Sequence, residues 1–170
     1  MAEDSDPPFV PFVDEHGEVA GVMDQMTAAF FESTDPDPTQ ATLDEAFERV
    51  TRVRLVGHRN VPCVVEFDGQ EYQGNEMVFD VVRVDVADPA SLTELAAALR
   101  IVESGEFGHV MSLSEHLLEL WVDDKLVHTI ELLPGWDHLR WPSVWSSDAP
   151  LAEPRLLKEW RKRHRITDRR

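Results

Sequence analysis

Cysteine, tyrosine and lysine are nearly missing from this chain: 170 residues hold one Cys, one Tyr and three Lys. A lone Cys63 excludes an intrachain disulfide and leaves any Cys-based metal site without its other thiolates. Set in the apolar run Val61-Pro62-Cys63-Val64-Val65, it is expected to be a small buried hydrophobe. No apolar run approaches the roughly 20 residues of a membrane span. The acidic start Met1-Ala2-Glu3-Asp4 has no apolar stretch after it, so a secretory leader is not expected and the cytoplasm is the default compartment. Phosphate-cradling G-x-G-x-x-G and Walker patterns are missing, as are the G-x-S-x-G nucleophile elbow and the H-E-x-x-H zinc motif. Gly105-Glu106-Phe107-Gly108 has the outline of a GxxG clamp, but Glu106 would repel the RNA backbone that such a clamp holds.

What the chain has in excess is negative charge. Its formal net charge is −17, which opposes binding to nucleic acid backbones and anionic membranes and favours a basic partner. The scarcity of lysine beside arginine also fits a GC-rich or salt-adapted genome. The acids are unevenly spread. Up to Val50 the only cation is Arg49, whereas the end of the chain concentrates Arg161, Lys162, Arg163 and Arg165. Such a basic end complements the carboxyl terminus of a helix dipole. Nucleic acid binding through that turn is opposed by the charge of the whole chain.

Periodicity defines the elements. Residues 1–16 interleave acids with Pro7, Pro8 and Pro11 and are expected to be a flexible acidic, proline-rich tail. Residues 17–170 then form one domain, with a helical lead-in over 17–50 and a sheet with helices over 51–170. Val19, Val22, Met23, Met26, Phe30 and Phe31 recur at helical spacing. A second helix is expected from Thr39 to Val50. From Thr51 the period changes to 2, giving short strands over 53–57 and 61–67, a turn at Asp68-Gly69, a return over 70–72 and a strand over 77–86. Asp88-Pro89-Ala90-Ser91 opens the clearest helix, with Asp88 as cap and Ser91 and Glu94 at capping-box spacing. A β-hairpin turns at Asp123-Asp124-Lys125, and a last helix carries Leu156, Leu157 and Trp160 inward. This order indicates an α+β fold, mainly an antiparallel sheet with helices packed on one face.

From about Phe79 to Trp160 the order of pieces resembles a family of uncharacterised bacterial proteins. The matching residues are Ser91, Leu92 and Leu95; Leu118 to Ile130; Arg140-Trp141; Trp145, Asp148, Ala149 and Leu151; and Leu156-Leu157 with Trp160. The resemblance implies the fold. Members often carry Cys-x-Cys before the hairpin and His-His after it, where this chain has Val110-Met111-Ser112 and Leu133-Pro134. Metal or redox chemistry resting on those residues does not carry over.

The densest chemistry lies in Gly135-Trp136-Asp137-His138-Leu139-Arg140-Trp141-Pro142-Ser143-Val144-Trp145. Three readings are open. The indoles of Trp141 and Trp145 can plug one end of the sheet while Arg140 pairs an acid. Trp136, Trp141, Trp145 and Arg140 can be interface anchors, which favour Trp and Arg. Asp137 can orient His138 while Arg140 binds an anion, giving a small-ligand site or an enzyme. Of the seven histidines, His116 and His128 fall in neighbouring strands, but Glu119 and Glu131 are at the wrong parity to join them in a metal site. No metal or cofactor is expected. The function expected is that of a non-catalytic interaction or regulatory protein with a basic protein partner.

Overall fold

A computed structural model describes residues 9–13, 19–24, 35–67, 70–103, 110 and 112–165. Six strands form one sheet in which every neighbouring pair is antiparallel: β3 (Arg52–Phe67), β4 (Gln70–Val86), β5 (His116–Val122), β6 (Lys125–Leu132), β7 (His138–Arg140) and β8 (Ala149–Pro150). Their order across the sheet is β4-β3-β5-β6-β7-β8. The described helices are α1 (Gln40–Phe47), α2 (Pro89–Ala98) and α3 (Pro154–His164). A separate two-stranded pairing joins β1 (Phe9–Val13) to β2 (Val19–Asp24). None of the described helices is long and apolar enough to cross a membrane.

Alternation builds the core. Val53 and Leu55 of β3 face Val86 and Val84 of β4 and also Leu120 and Leu118 of β5, in register. Ile130 of β6 lies opposite Leu118, and Leu132 opposite His116. These apolar residues are buried together with Leu43 of α1, Leu95 and Ala98 of α2, and Leu157 and Trp160 of α3. The intervening residues on β3, β4 and β5, Arg52, Arg54, Asp85 and Glu119, form a polar face. There Arg52 donates to both oxygens of Asp85, at 2.6 and 2.5 Å, and Arg54 lies 4.9 Å from the Trp121 ring centroid.

The helix starts follow local chemistry. Thr39 caps α1 by accepting from the Thr42 amide, and Asp88 caps α2 by accepting from the Ser91 amide at 2.9 Å. Ser91 is thus the third helical residue of a cap centred on Asp88, and the expected pairing of Ser91 with Glu94 is replaced. Glu94 instead reaches across to Arg163 of α3 at 3.0 Å. The buried Trp160 indole donates to the Ser91 carbonyl at 2.9 Å, so α2 and α3 are tied both at the core and at the surface.

Three expectations are corrected. Within the expected tail and the expected helix over 19–31, Phe9–Val13 and Val19–Asp24 are paired strands; the β-branched Val10, Val13, Val19 and Val22 suit that extended backbone. Residues 25–31 lie outside the described residues. The short strands expected over 53–57 and 61–67 are one continuous β3, and the pieces over 70–72 and 77–86 are one continuous β4. Pro62 does not break β3 because β5 ends its pairing at Gly57, so beyond that point β3 has one neighbour and can tolerate a residue without an amide donor. Cys63 is consequently half-buried on this extension rather than in the core.

Candidate functional site

The loop singled out in the sequence folds into the body. Trp136, Trp141 and Trp145 are 3%, 1% and 1% exposed, so none offers the open aromatic face that an interface anchor needs. Trp141 and Trp145 meet edge-to-face at 5.4 Å, and His128 meets Trp141 at 5.1 Å. Arg140 turns to the protein. Its guanidinium donates to Asp148, whose side chain is fully buried, at 2.8 and 3.0 Å, and to the carbonyls of Val110 and Ser112 at 2.6 and 3.1 Å. The Val110 amide completes Asp148 at 2.6 Å. This net ties Val110 and Ser112, ahead of β5, to β7, a structural task for Arg140.

Asp137 and His138 are adjacent at the surface, with Asp137 Oδ1 3.0 Å from His138 Nδ1. That contact holds the Asp137 carboxyl below the usual carboxylate range. Neither residue is bonded to Arg140, whose partners include Asp148, Glu131 and the carbonyls just described. Of the loop, Trp141 and Trp145 are brought together; Asp137, His138 and Arg140 do not form one site. His116 and His128 also stay apart, because register places His116 opposite Leu132 and His128 opposite Leu120. Among the described residues no group of three His, Cys, Asp or Glu could hold a metal ion.

Trp136 is nevertheless unusual. Gly135 and Trp136 both have left-handed backbone, at φ 83° and 57°, a region that costs a bulky residue on the order of 1–3 kcal/mol. The indole is held by His116 at 5.0 Å and by the Arg161 guanidinium at 4.6 Å. His116 is itself buried, and its Nδ1 has no hydrogen-bond partner among the described residues. Burial first, then the nearby Arg161, pushes its pKa down to about 4, with Glu115 opposing. A neutral imidazole wedged beside two arginines, Arg83 and Arg161, supports packing better than proton transfer near neutral pH.

The exposed feature of the fold lies elsewhere. Beyond Gly57 the β3–β4 hairpin leaves the sheet as a two-stranded arm. Ten residues of β3, His58 to Phe67, continue the pairing down to Phe67 opposite Gln70, which at the usual strand rise is about 30 Å. Two bulges mark its root, between Leu55 and Val56 and between Gly57 and His58. Asp80, left over by the second, chelates Arg59 at 2.9 and 2.8 Å, and His58 packs on Phe79 at 5.6 Å. Bulges of this kind bend a hairpin and re-aim it.

One face of the arm carries Val61, Cys63 and Val65 opposite Glu76, Gly74 and Tyr72. On this face Val65 and Tyr72 are 51% and 49% exposed, and Val64, on the other face, is 55% exposed. On the opposite face Glu66 lies directly across from Glu71, and both are exposed. Like charges in that position destabilise a pair. Reading the sequence in short strands hides the arm; the available signal is the Asp68-Gly69 dipeptide flanked by Val64-Val65 and Tyr72.

Sheet, helices and arm together define an α+β protein built on one antiparallel sheet with a projecting hairpin. No family model, curated protein or solved structure matches the chain.

Proposed function

We propose that this is a non-catalytic interaction protein that uses the β3–β4 arm to hold a partner with a basic surface. The observation that carries the reading is the Glu66–Glu71 pair. Two carboxylates face each other on an otherwise thin hairpin, beside exposed Val64, Val65 and Tyr72. Two strands alone are marginal in water, and a repulsive pair weakens them further unless cations from elsewhere neutralise it. Arg59 is the one cation in the arm, against Glu66, Glu71, Glu76 and Asp80, and Asp80 already engages it. A basic partner supplies what the arm lacks, while the exposed apolar side chains and the unpaired strand edges offer the contact area. The net charge of −17 speeds such an encounter at low salt. The resemblance to uncharacterised bacterial proteins and a cytoplasmic setting belong to the same proposal.

The test is capture from the cell of origin with wild-type protein, Glu71→Lys and Val64→Asp. The outcome expected is a basic protein retained by wild type, released by raised salt, and lost from both variants while their folds persist. Equal capture by all three proteins would overturn the reading.

A further inference from the structure

The arm has two long edges, and they are not equivalent. β3 keeps pairing with β4 straight through Pro62, which lies opposite Asn75. A proline has no amide to give, so at this pair the backbone groups of both strands point away from each other. The two-residue connection between Phe67 and Gln70 sets the same parity. Pairing is unshifted from His58 to Phe67. Alternation therefore turns outward Asn60, Pro62, Val64 and Glu66 on β3, and Glu71, Gln73, Asn75 and Met77 on β4. Pro62 breaks the row of donors on the β3 edge, a usual guard against a further strand. The β4 edge has no such break. β4 is the outermost strand of the sheet, and among the described residues its outer side is bridged only at Val84, by Arg165 beyond α3. From Glu71 to Met77, about 20 Å of strand, four residues each offer an amide and a carbonyl.

Charge decides what such an edge accepts. Glu71 shares a face with Glu66, Gln73 and Asn75, whereas Glu76 is on the other face with Tyr72 and Gly74. Among the described residues the ion pairing of the arm's acids is confined to Asp80 with Arg59, so Glu71 and Glu76 are open to a cation. A second copy of this chain, at a net −17, meets repulsion there, as does any acidic strand. A strand with Lys or Arg beside each acid is attracted instead. The two acids are five residues apart, an odd number, so their cations also stand five apart and on opposite faces of the incoming strand. Resting on the reading of the arm as the contact surface, we infer that the basic partner binds by strand addition. An extended segment with cations five residues apart pairs along the outer edge of β4 from Glu71 to Met77.

Three blocked peptides on the full chain test this. The first is acetyl-Thr-Lys-Thr-Val-Thr-Val-Lys-Thr-amide, with lysines five apart. The second, acetyl-Thr-Lys-Thr-Val-Thr-Lys-Val-Thr-amide, has the same composition with lysines four apart, and the third is the first with Glu for both lysines. Each is titrated at low salt while the backbone amides are followed by NMR and hydrogen exchange. With the first peptide, the amides of Glu71, Gln73, Asn75 and Met77 are expected to gain protection. Those of Tyr72, Gly74 and Glu76, which face β3, are expected to change little. The second peptide should bind about two- to fivefold more weakly, since one cation leaves its acid, and the acidic peptide at least about tenfold more weakly. Gln73→Pro removes one outward donor, as Pro62 does on β3, and should weaken the first peptide at least about tenfold. Asn75→Pro provides the same test should that variant fail to fold, and Asn60→Pro, on the other edge, should leave binding unchanged. The inference is overturned by protection that does not alternate along β4, by equal affinity for the two lysine peptides, by unchanged binding in a folded Gln73→Pro or Asn75→Pro variant, or by no binding of the first peptide at millimolar concentration. A cell partner kept by Gln73→Pro and lost from Glu71→Lys overturns strand addition alone, whereas one kept by both overturns the arm as the contact surface.

Discussion

Arg140 looks in the sequence like a binding residue, yet its guanidinium donors are directed inward. Asp148 has no solvent to fall back on, so removing its partner leaves a buried charge unpaired. Arg140→Ala is therefore expected to cost about 3–5 kcal/mol of stability, measured by denaturant unfolding. A variant that unfolds like wild type would show that the buried pair is not needed. His116 makes a different prediction. Its folded pKa lies near 4, below the 6.5 of a free imidazole, so between those values the unfolded chain binds more protons. Stability from this group is then fully present above pH 6.5, falls as pH drops toward 4, and levels off below it. The size is on the order of 2–3 kcal/mol. His116→Gln should flatten that stretch of the stability profile, and NMR titration of the ring should place its midpoint near 4.

Among the elements, the arm is the one whose behaviour separates stability from function. Relieving the Glu66–Glu71 repulsion with Glu71→Lys is expected to raise stability by about 0.2–1 kcal/mol, the same change expected to abolish capture of a basic partner. A thermal melt of the purified variant checks this, and a lowered midpoint would contradict it. Much of the fold was legible in the sequence because its signals were local. Asp88 followed by Pro89 named the start of α2, the alternation of Leu118, Leu120, Ile130 and Leu132 named the β5–β6 hairpin, and Leu157 with Trp160 named the buried side of α3. The arm was not legible. Its continuity through Pro62 depends on where a distant strand, β5, stops pairing with β3, and local propensity carries no trace of that. The helix expected over 19–31 failed for a related reason. The 3.6-residue spacing of Val19, Val22, Met23 and Met26 competes with β-branched character, and pairing with Phe9–Val13 decides for the strand over 19–24. The tryptophan loop was legible in composition but not in role, because burial depends on the sheet it closes.

On the scale of the whole molecule, charge and shape divide the labour. The body buries four of its five indoles and the Asp148 carboxylate that Arg140 pairs, and the basic last turn of α3 is partly matched by Glu94 of α2. Among the described residues the arm's acids have one ion pair, Asp80 with Arg59. The arm thus sets unpaired carboxylates beside exposed apolar side chains. The central claim is that the arm is the contact surface, and the most direct measurement is site-specific photocrosslinking in the native cell. A photoreactive phenylalanine analogue is placed at Tyr72 on the arm and, as a control, at the exposed Arg155 on α3. The account predicts a discrete adduct from Tyr72 with a basic protein, missing from the Arg155 control and weakened by Glu71→Lys. An adduct equally strong from both positions, an adduct only with a second copy of this chain, or none from Tyr72 would contradict it.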